Sequence, residues 1–240
     1  MLRTLNTIKG NKIRAIDGEI GSVDYFFFDD DTWTIRYLVI NTGNWLTGRQ
    51  VLISPYSISS IDGIEGIVNL SITKEQVEQS PTIDVLQPIS RLQEAAFLNY
   101  YDYPYYWDAT EVWGASPYPM LVREASAVRG YKSGEQRELE HTTASRLRST
   151  ETITGYHLAA TDGDIGHISG VVIDDESWVI HYVIVDTQNW WPGKKVTLSP
   201  RVVTSFDKQE TKIHINLTRE EIKRSPEFSE ITLHSREYGN

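Results

Sequence analysis

Apolar and polar positions along the chain fall into short blocks with turn residues between them. Ile20 to Phe28 and Trp33 to Ile40 are rich in aromatic and β-branched residues, the types that suit a pleated, half-buried surface. Between them stands Asp29-Asp30-Asp31-Thr32, whose side chains favour a turn by bonding nearby backbone amides. The pattern predicts a β-hairpin. Further short strands are predicted at Lys12–Ile16, Gln50–Ser54, Ser57–Asp62 and Gly66–Ser71, a spacing that suits a barrel or sandwich of about six strands, whose closure would leave no free edges. The block closes with Thr73 to Pro81: a capping residue, acids that complement the helix dipole, and a proline that cannot continue the ladder predict one short helix.

The whole pattern then recurs. A shift of 145 positions lays Asp162-Gly163 on Asp17-Gly18, Ile165-Gly166 on Ile20-Gly21, Asp174-Asp175 on Asp29-Asp30, Trp178 on Trp33, Asn189-Trp190 on Asn44-Trp45 and Ser199-Pro200 on Ser54-Pro55. The offset holds from Leu147-Arg148 over Leu2-Arg3 to Ser225-Pro226 over Ser80-Pro81, without an insertion. Two homologous domains joined by a spacer follow from this. Their expected extents are residues 2–84 and 147–230, with a spacer at 85–146 and a C-terminal tail at 231–240. Domains of about 80 residues bury only a modest core, so contacts with the other copy or the spacer are expected to add stability.

The spacer has its own character. Ser90 followed by Gln93 is a capping-box pattern and predicts a helix from Arg91 to about Tyr101. Next comes Tyr100-Tyr101-Asp102-Tyr103-Pro104-Tyr105-Tyr106-Trp107, then Trp113 and Pro117-Tyr118-Pro119, an aromatic density foreign to flexible linkers. From Glu124 to Thr143 the chain is polar with no periodic apolar pattern, and disorder is expected there.

The repeated elements, Asp-Gly-x-Ile-Gly, a strand ending in Asp-Asp, Trp after a short gap, Asn-Trp, Val-x-x-Ser-Pro and a closing helix ending in Ser-Pro, resemble the PRC-barrel family over residues 2–83 and 147–228. The resemblance implies a mainly β fold: two small six-stranded barrels, each closed by a short helix. It relates them to the cytoplasmic domain of the photosynthetic reaction centre H subunit and to the C-terminal domain of a bacterial ribosome maturation factor. In those relatives the barrel docks onto other proteins and is not a catalyst. No transmembrane anchor like that of the H subunit and no partner domain like that of the ribosomal factor is expected, and the chain looks more like stand-alone tandem bacterial members.

Composition narrows the chemistry. Without cysteine there is no disulfide framework, thiolate metal site or cysteine nucleophile. The first residues lack the apolar core of a secretory signal, and no apolar run approaches the ~20 residues of a membrane helix, so a soluble, cytoplasmic protein without membrane insertion is expected. The net charge of −10 is spread over both copies and the spacer, which argues against nucleic acid and anionic membranes as partners.

Several constellations invite chemistry. The acidic turns Asp29-Asp30-Asp31 and Asp174-Asp175-Glu176 could suggest calcium, but such a site wants six or more oxygens and turn chemistry explains them. His157, His167, His181 and His214 lie opposite Lys12, Ser22, Arg36 and Asn69 in the other copy, so no histidine role is duplicated and no zinc spacing appears. There is no nucleophile elbow, phosphate loop or dinucleotide fingerprint. No enzyme activity, cofactor or metal is expected. The candidate interaction residues are Trp45, Trp190 and Trp191 in the Asn-Trp loops and Tyr103, Tyr105, Tyr106 and Trp107 in the spacer. So large an aromatic patch is expected to be packed between domains or across a homo-oligomer interface. The expected function is a protein-interaction or scaffolding module whose protein partner the sequence does not identify, photosynthetic only by analogy with the H subunit. The alternative is a small-molecule or carbohydrate binder that uses the aromatic spacer as a stacking platform.

Overall fold

The computed structural model describes residues 1–46, 48–107, 111–121, 146–187 and 194–229. The polar stretch 124–143, the tail 231–240, Trp190 and Trp191 lie outside the described residues.

The chain opens with β1 (Leu2–Thr4), followed by β2 (Lys12–Ala15), β3 (Gly18–Asp29), β4 (Thr34–Asn41), β5 (Gln50–Ile53), β6 (Ile58–Asp62) and β7 (Ile67–Leu70). Helix α1 (Lys74–Glu78) ends the first copy and α2 (Arg91–Tyr100) lies in the spacer. The second copy supplies β8 (Leu147–Ser149), β9 (His157–Ala160), β10 (Gly163–Asp174), β11 (Ile180–Asp186), β12 (Lys195–Leu198), β13 (Val203–Asp207), β14 (Lys212–Ile215) and α3 (Arg219–Lys223). One sheet runs β5-β4-β3-β2-β7-β6 and the other β12-β11-β10-β9-β14-β13. In both, the third-last and second-last of these strands run parallel (β2 with β7, β9 with β14).

Local chemistry makes the elements. Asp29 Oδ1 accepts from the amides of Asp31 and Thr32 at 3.0 Å, which closes the turn into β4. The helices α1, α2 and α3 all begin with full capping boxes, Thr73 with Gln76, Ser90 with Gln93 and Thr218 with Glu221. Only glycine fits at Gly21 and Gly166. A Cβ there would stand 2.1 Å from the Asn41 carbonyl oxygen and 2.2 Å from that of Asp186, at φ of +148° and +134°. The repeated Ile-Gly pair is therefore a close-approach motif, with Ile20 and Ile165 filling the core beside it.

Six strands per copy were expected, and each sheet has seven. The extra strand comes from the opposite copy. Strand β1 pairs with β10, Arg3 facing Ile173, while β8 stands beside β3. The compact units follow this exchange: one comprises Ile8–Leu147 with Glu176–Trp178, the other Met1–Thr7, Arg148–Asp175 and Val179–Asn240. The acidic turns hold the incoming segments. Arg3 bonds Asp175 at 2.7 Å in the second unit, and in the first Arg146 pairs with Asp31 at 2.7 Å while the Asp30 amide donates to the Arg146 carbonyl. Among the described residues no ladder joins β5 to β6 or β12 to β13, because Pro55 and Pro200, which lack an amide donor, turn the chain through short 3₁₀ segments there.

The core of the first unit contains Ile13, Phe26, Phe28, Ile35, Leu38 and Ile40, that of the second Leu158, Ile168, Ile173, Val185, Val196 and Ile213. The copies differ where the spacer matters: Tyr25-Phe26-Phe27 in β3 correspond to Gly170-Val171-Val172 in β10. Rings in the first copy meet the rings of the spacer.

Candidate functional site in the aromatic spacer

A β-bulge sets the site. Phe27 faces Tyr37 and Phe28 faces Ile35, which leaves Arg36 as the extra residue of β4. Both Arg36 and Tyr37 then engage the spacer. The Arg36 guanidinium lies 3.7 Å from the centre of the Tyr106 ring and 4.8 Å from Trp113, donates to the Val112 carbonyl, and donates to Thr32 Oγ1 at 3.0 Å. The Tyr37 hydroxyl donates to Glu94 Oε2 at 3.2 Å, and its ring meets Phe97 edge-on at 5.3 Å.

Glu94 is the hub. It is fully buried on α2, accepts from the Tyr106 hydroxyl at 2.5 Å on the same oxygen that Tyr37 uses, and its Oε1 stands 3.1 Å from Arg91 Nη1. Burial pushes its carboxyl up to about 7, against the pull of Arg91 and the two tyrosine hydroxyls. Desolvation likewise lifts Tyr37 and Tyr106 well above the ordinary phenol range and lowers Arg36. The Arg36 Nε is buried without a hydrogen-bond partner. Two cations, one acid and two phenols thus lock the spacer onto the sheet.

A second cluster lies alongside. Tyr56 donates to the Trp113 carbonyl at 2.6 Å, Tyr103 shares a 2.7 Å hydrogen bond with Ser57, and Trp113, 1 % exposed, donates from its indole to the Ser177 carbonyl at 2.6 Å. The Ile35 amide donates to the Trp178 carbonyl. The turn Glu176–Trp178 of the second copy is therefore a working part of the first unit.

The residues singled out in the sequence take different places. Tyr103 and Tyr106 are buried, and Tyr105, Trp107 and Trp45 are half-buried. Tyr105 stacks on Trp107 at 4.8 Å and donates to Asn99 Oδ1, while the Arg91 guanidinium lies 4.3 Å from the Trp107 ring. Trp45 stands apart from them in contact with Lys74, whose Nζ is 5.0 Å from its ring. Arg36, Tyr37, Arg91 and Glu94 escaped sequence reasoning. An acid in the first turn of a helix reads as a dipole partner, and only its place on the apolar face of α2, beside Ala95, Phe97 and Leu98, marks it as buried.

Among the described residues no group of three or more His, Asp or Glu side chains is placed to hold a metal ion, and no helix is long and apolar enough to cross a membrane. The arrangement can bind and orient through rings and fixed dipoles. A family model, that of the PRC-barrel domain, matches residues 2–77. No curated protein matches the chain.

Proposed function

Residues 2–77 being a PRC-barrel domain, we propose that the chain is a non-enzymatic scaffold that binds other proteins through two such domains, each closing into a barrel, with the spacer as a rigid part of its surface. The supporting observation is the Glu94 cluster. It fixes α2 and the rings after it on the sheet, so that their outer sides are presented without a cost in ordering. Barrels that resemble this one dock onto proteins, and the second copy repeats the same sheet.

Affinity capture with the tagged chain from its own organism, followed by titration of the purified partner, tests this reading. A saturable complex of defined stoichiometry is the expected result. The half-open stack of Tyr105 on Trp107 favours a second reading, a ring-bearing small molecule or sugar. Binding of such a compound that is lost in Trp107→Ala, with no protein partner, would replace the scaffold with a ligand-binding module.

A further inference from the structure

Each half of the chain is completed by the other. The N-terminal half, residues 1–121, sends β1 to β10, where Leu2 faces Asp174, Arg3 faces Ile173 and the Asp175 amide donates to the Met1 carbonyl at 3.0 Å. The Asp175 carboxylate pairs there with Arg3 Nη2 at 2.5 Å and with the N-terminal ammonium at 2.8 Å. The C-terminal half, from residue 146 on, reciprocates. Its strand β8 stands beside β3, the Arg146 carbonyl accepts from the Asp30 amide at 3.0 Å, and the Arg146 guanidinium pairs with Asp31 at 2.7 Å. Its Glu176–Trp178 turn accepts from the Trp113 indole at 2.6 Å and from the Ile35 amide at 2.9 Å. All these contacts join segments far apart in sequence, so none requires both partners to belong to one molecule. Residues 122–145 connect the halves, a length of chain that reaches about 80 Å when extended.

We propose that two copies of this chain form a reciprocal dimer, in which the N-terminal half of each copy folds with the C-terminal half of the other. The surfaces used are the ones filled within the single chain: β1 on β10, and β8 with the Glu176–Trp178 turn on the first sheet. Every contact of the monomer is kept and no new one is needed, which makes exchange a low-cost route to a closed two-fold dimer. The ion pairs that cross between halves join cation to carboxylate, Arg3 to Asp175 and Arg146 to Asp31, so the pairing itself is complementary despite the net charge of −10. The longer-range repulsion is screened beyond about 8 Å at about 0.15 M ionic strength. With equal contacts in both states, the connection between the halves decides the balance. It presents each half to its own partner at an effective concentration on the order of 1 mM, so folding at about 100 µM sends about one chain in ten into the dimer and folding at about 1 µM about one in a thousand. Exchange after folding is slow, because β1 and the Trp178 turn must be withdrawn in both copies. The inference is independent of what the scaffold binds.

Refolding of the full chain from denaturant tests this. Size-exclusion chromatography is expected to show a dimer fraction after refolding at about 100 µM, none after refolding at about 1 µM, and a dimer that persists for hours once diluted. The absence of cysteine allows a second measurement on the pairing itself. A Leu2→Cys chain and an Asp174→Cys chain, refolded together at about 100 µM, are expected to be joined by a disulfide in the dimer fraction, because Leu2 and Asp174 face each other across β1 and β10. The same two variants folded separately and then mixed are expected to stay unjoined. A chain that remains monomeric after refolding at about 100 µM, a dimer that dissociates within minutes of dilution, or a dimer fraction without the disulfide between the two variants would overturn the proposal.

Discussion

Glu94 shows how much one buried acid can decide. Its carboxyl is neutral more readily in the folded protein than in the unfolded chain, because burial outweighs Arg91 and the tyrosine hydroxyls. A raised acid contributes stability that is complete below its unfolded value, near 4.5, and is lost as pH rises through about 7. Arg36 and Tyr37 on β4, Arg91 on α2, Tyr106 beyond it and Asp29 at the end of β3 set that balance together. Glu94→Gln keeps an acceptor for the phenols without the charge. Melting followed from pH 5 to 8 is expected to fall for the parent, by on the order of 3 kcal/mol in total, and to stay flat in this respect for the variant. An equal slope in both would show that the acid is ionised throughout. Gly21→Ala and Gly166→Ala test a different kind of constraint. Each drives a methyl group into a backbone carbonyl, and each is expected to destabilise its sheet by on the order of 3 kcal/mol, read by thermal unfolding.

At the scale of elements, the exchanged strands carry the most direct test. Removing residues 1–7 deletes β1, and the Asp175 amide just beyond β10, which donates to the Met1 carbonyl at 3.0 Å, is expected to lose protection in hydrogen exchange, while the amides of β3 keep theirs. Loss at β3 instead would show that β1 pairs within its own copy. What the sequence made legible here, and what it hid, follows from range. The turn at Asp29, the cap at Thr73, the capping box at Ser90 and the Ile-Gly motif are read from residues a few positions apart, and they stand where the pattern put them. The exchange was hidden because Leu2-Arg3 and Leu147-Arg148 are the same pair at the same offset, so either sheet suits either strand. The Glu94 site was hidden for two reasons: Tyr37 and Glu94 are 57 positions apart, and the bulge that brings Arg36 to the spacer breaks the alternation from which facing is inferred.

For the whole molecule, the exchange makes the two halves inseparable by a cut in the chain. With a protease site placed in the stretch 124–143, the N-terminal fragment still owns β1 and the C-terminal fragment still owns β10 and the Glu176–Trp178 turn. The fragments are expected to co-elute after cleavage and to part only in denaturant. Fragments that separate in buffer would show that the pairing of β1 with β10 is too weak to hold them. The same geometry sets a timetable for synthesis. Arg3 emerges first from the ribosome, yet its partner Asp175 follows 172 positions later, a wait of about 10–35 s at ordinary elongation rates. Trp113 waits likewise for the Ser177 carbonyl, 64 positions on. The first unit is complete only once Glu176–Trp178 has been translated, and β1 waits for β10, so a nascent chain carries an unpaired strand until late, and a truncated product of the first copy alone would hold a spare strand with no sheet assigned to it.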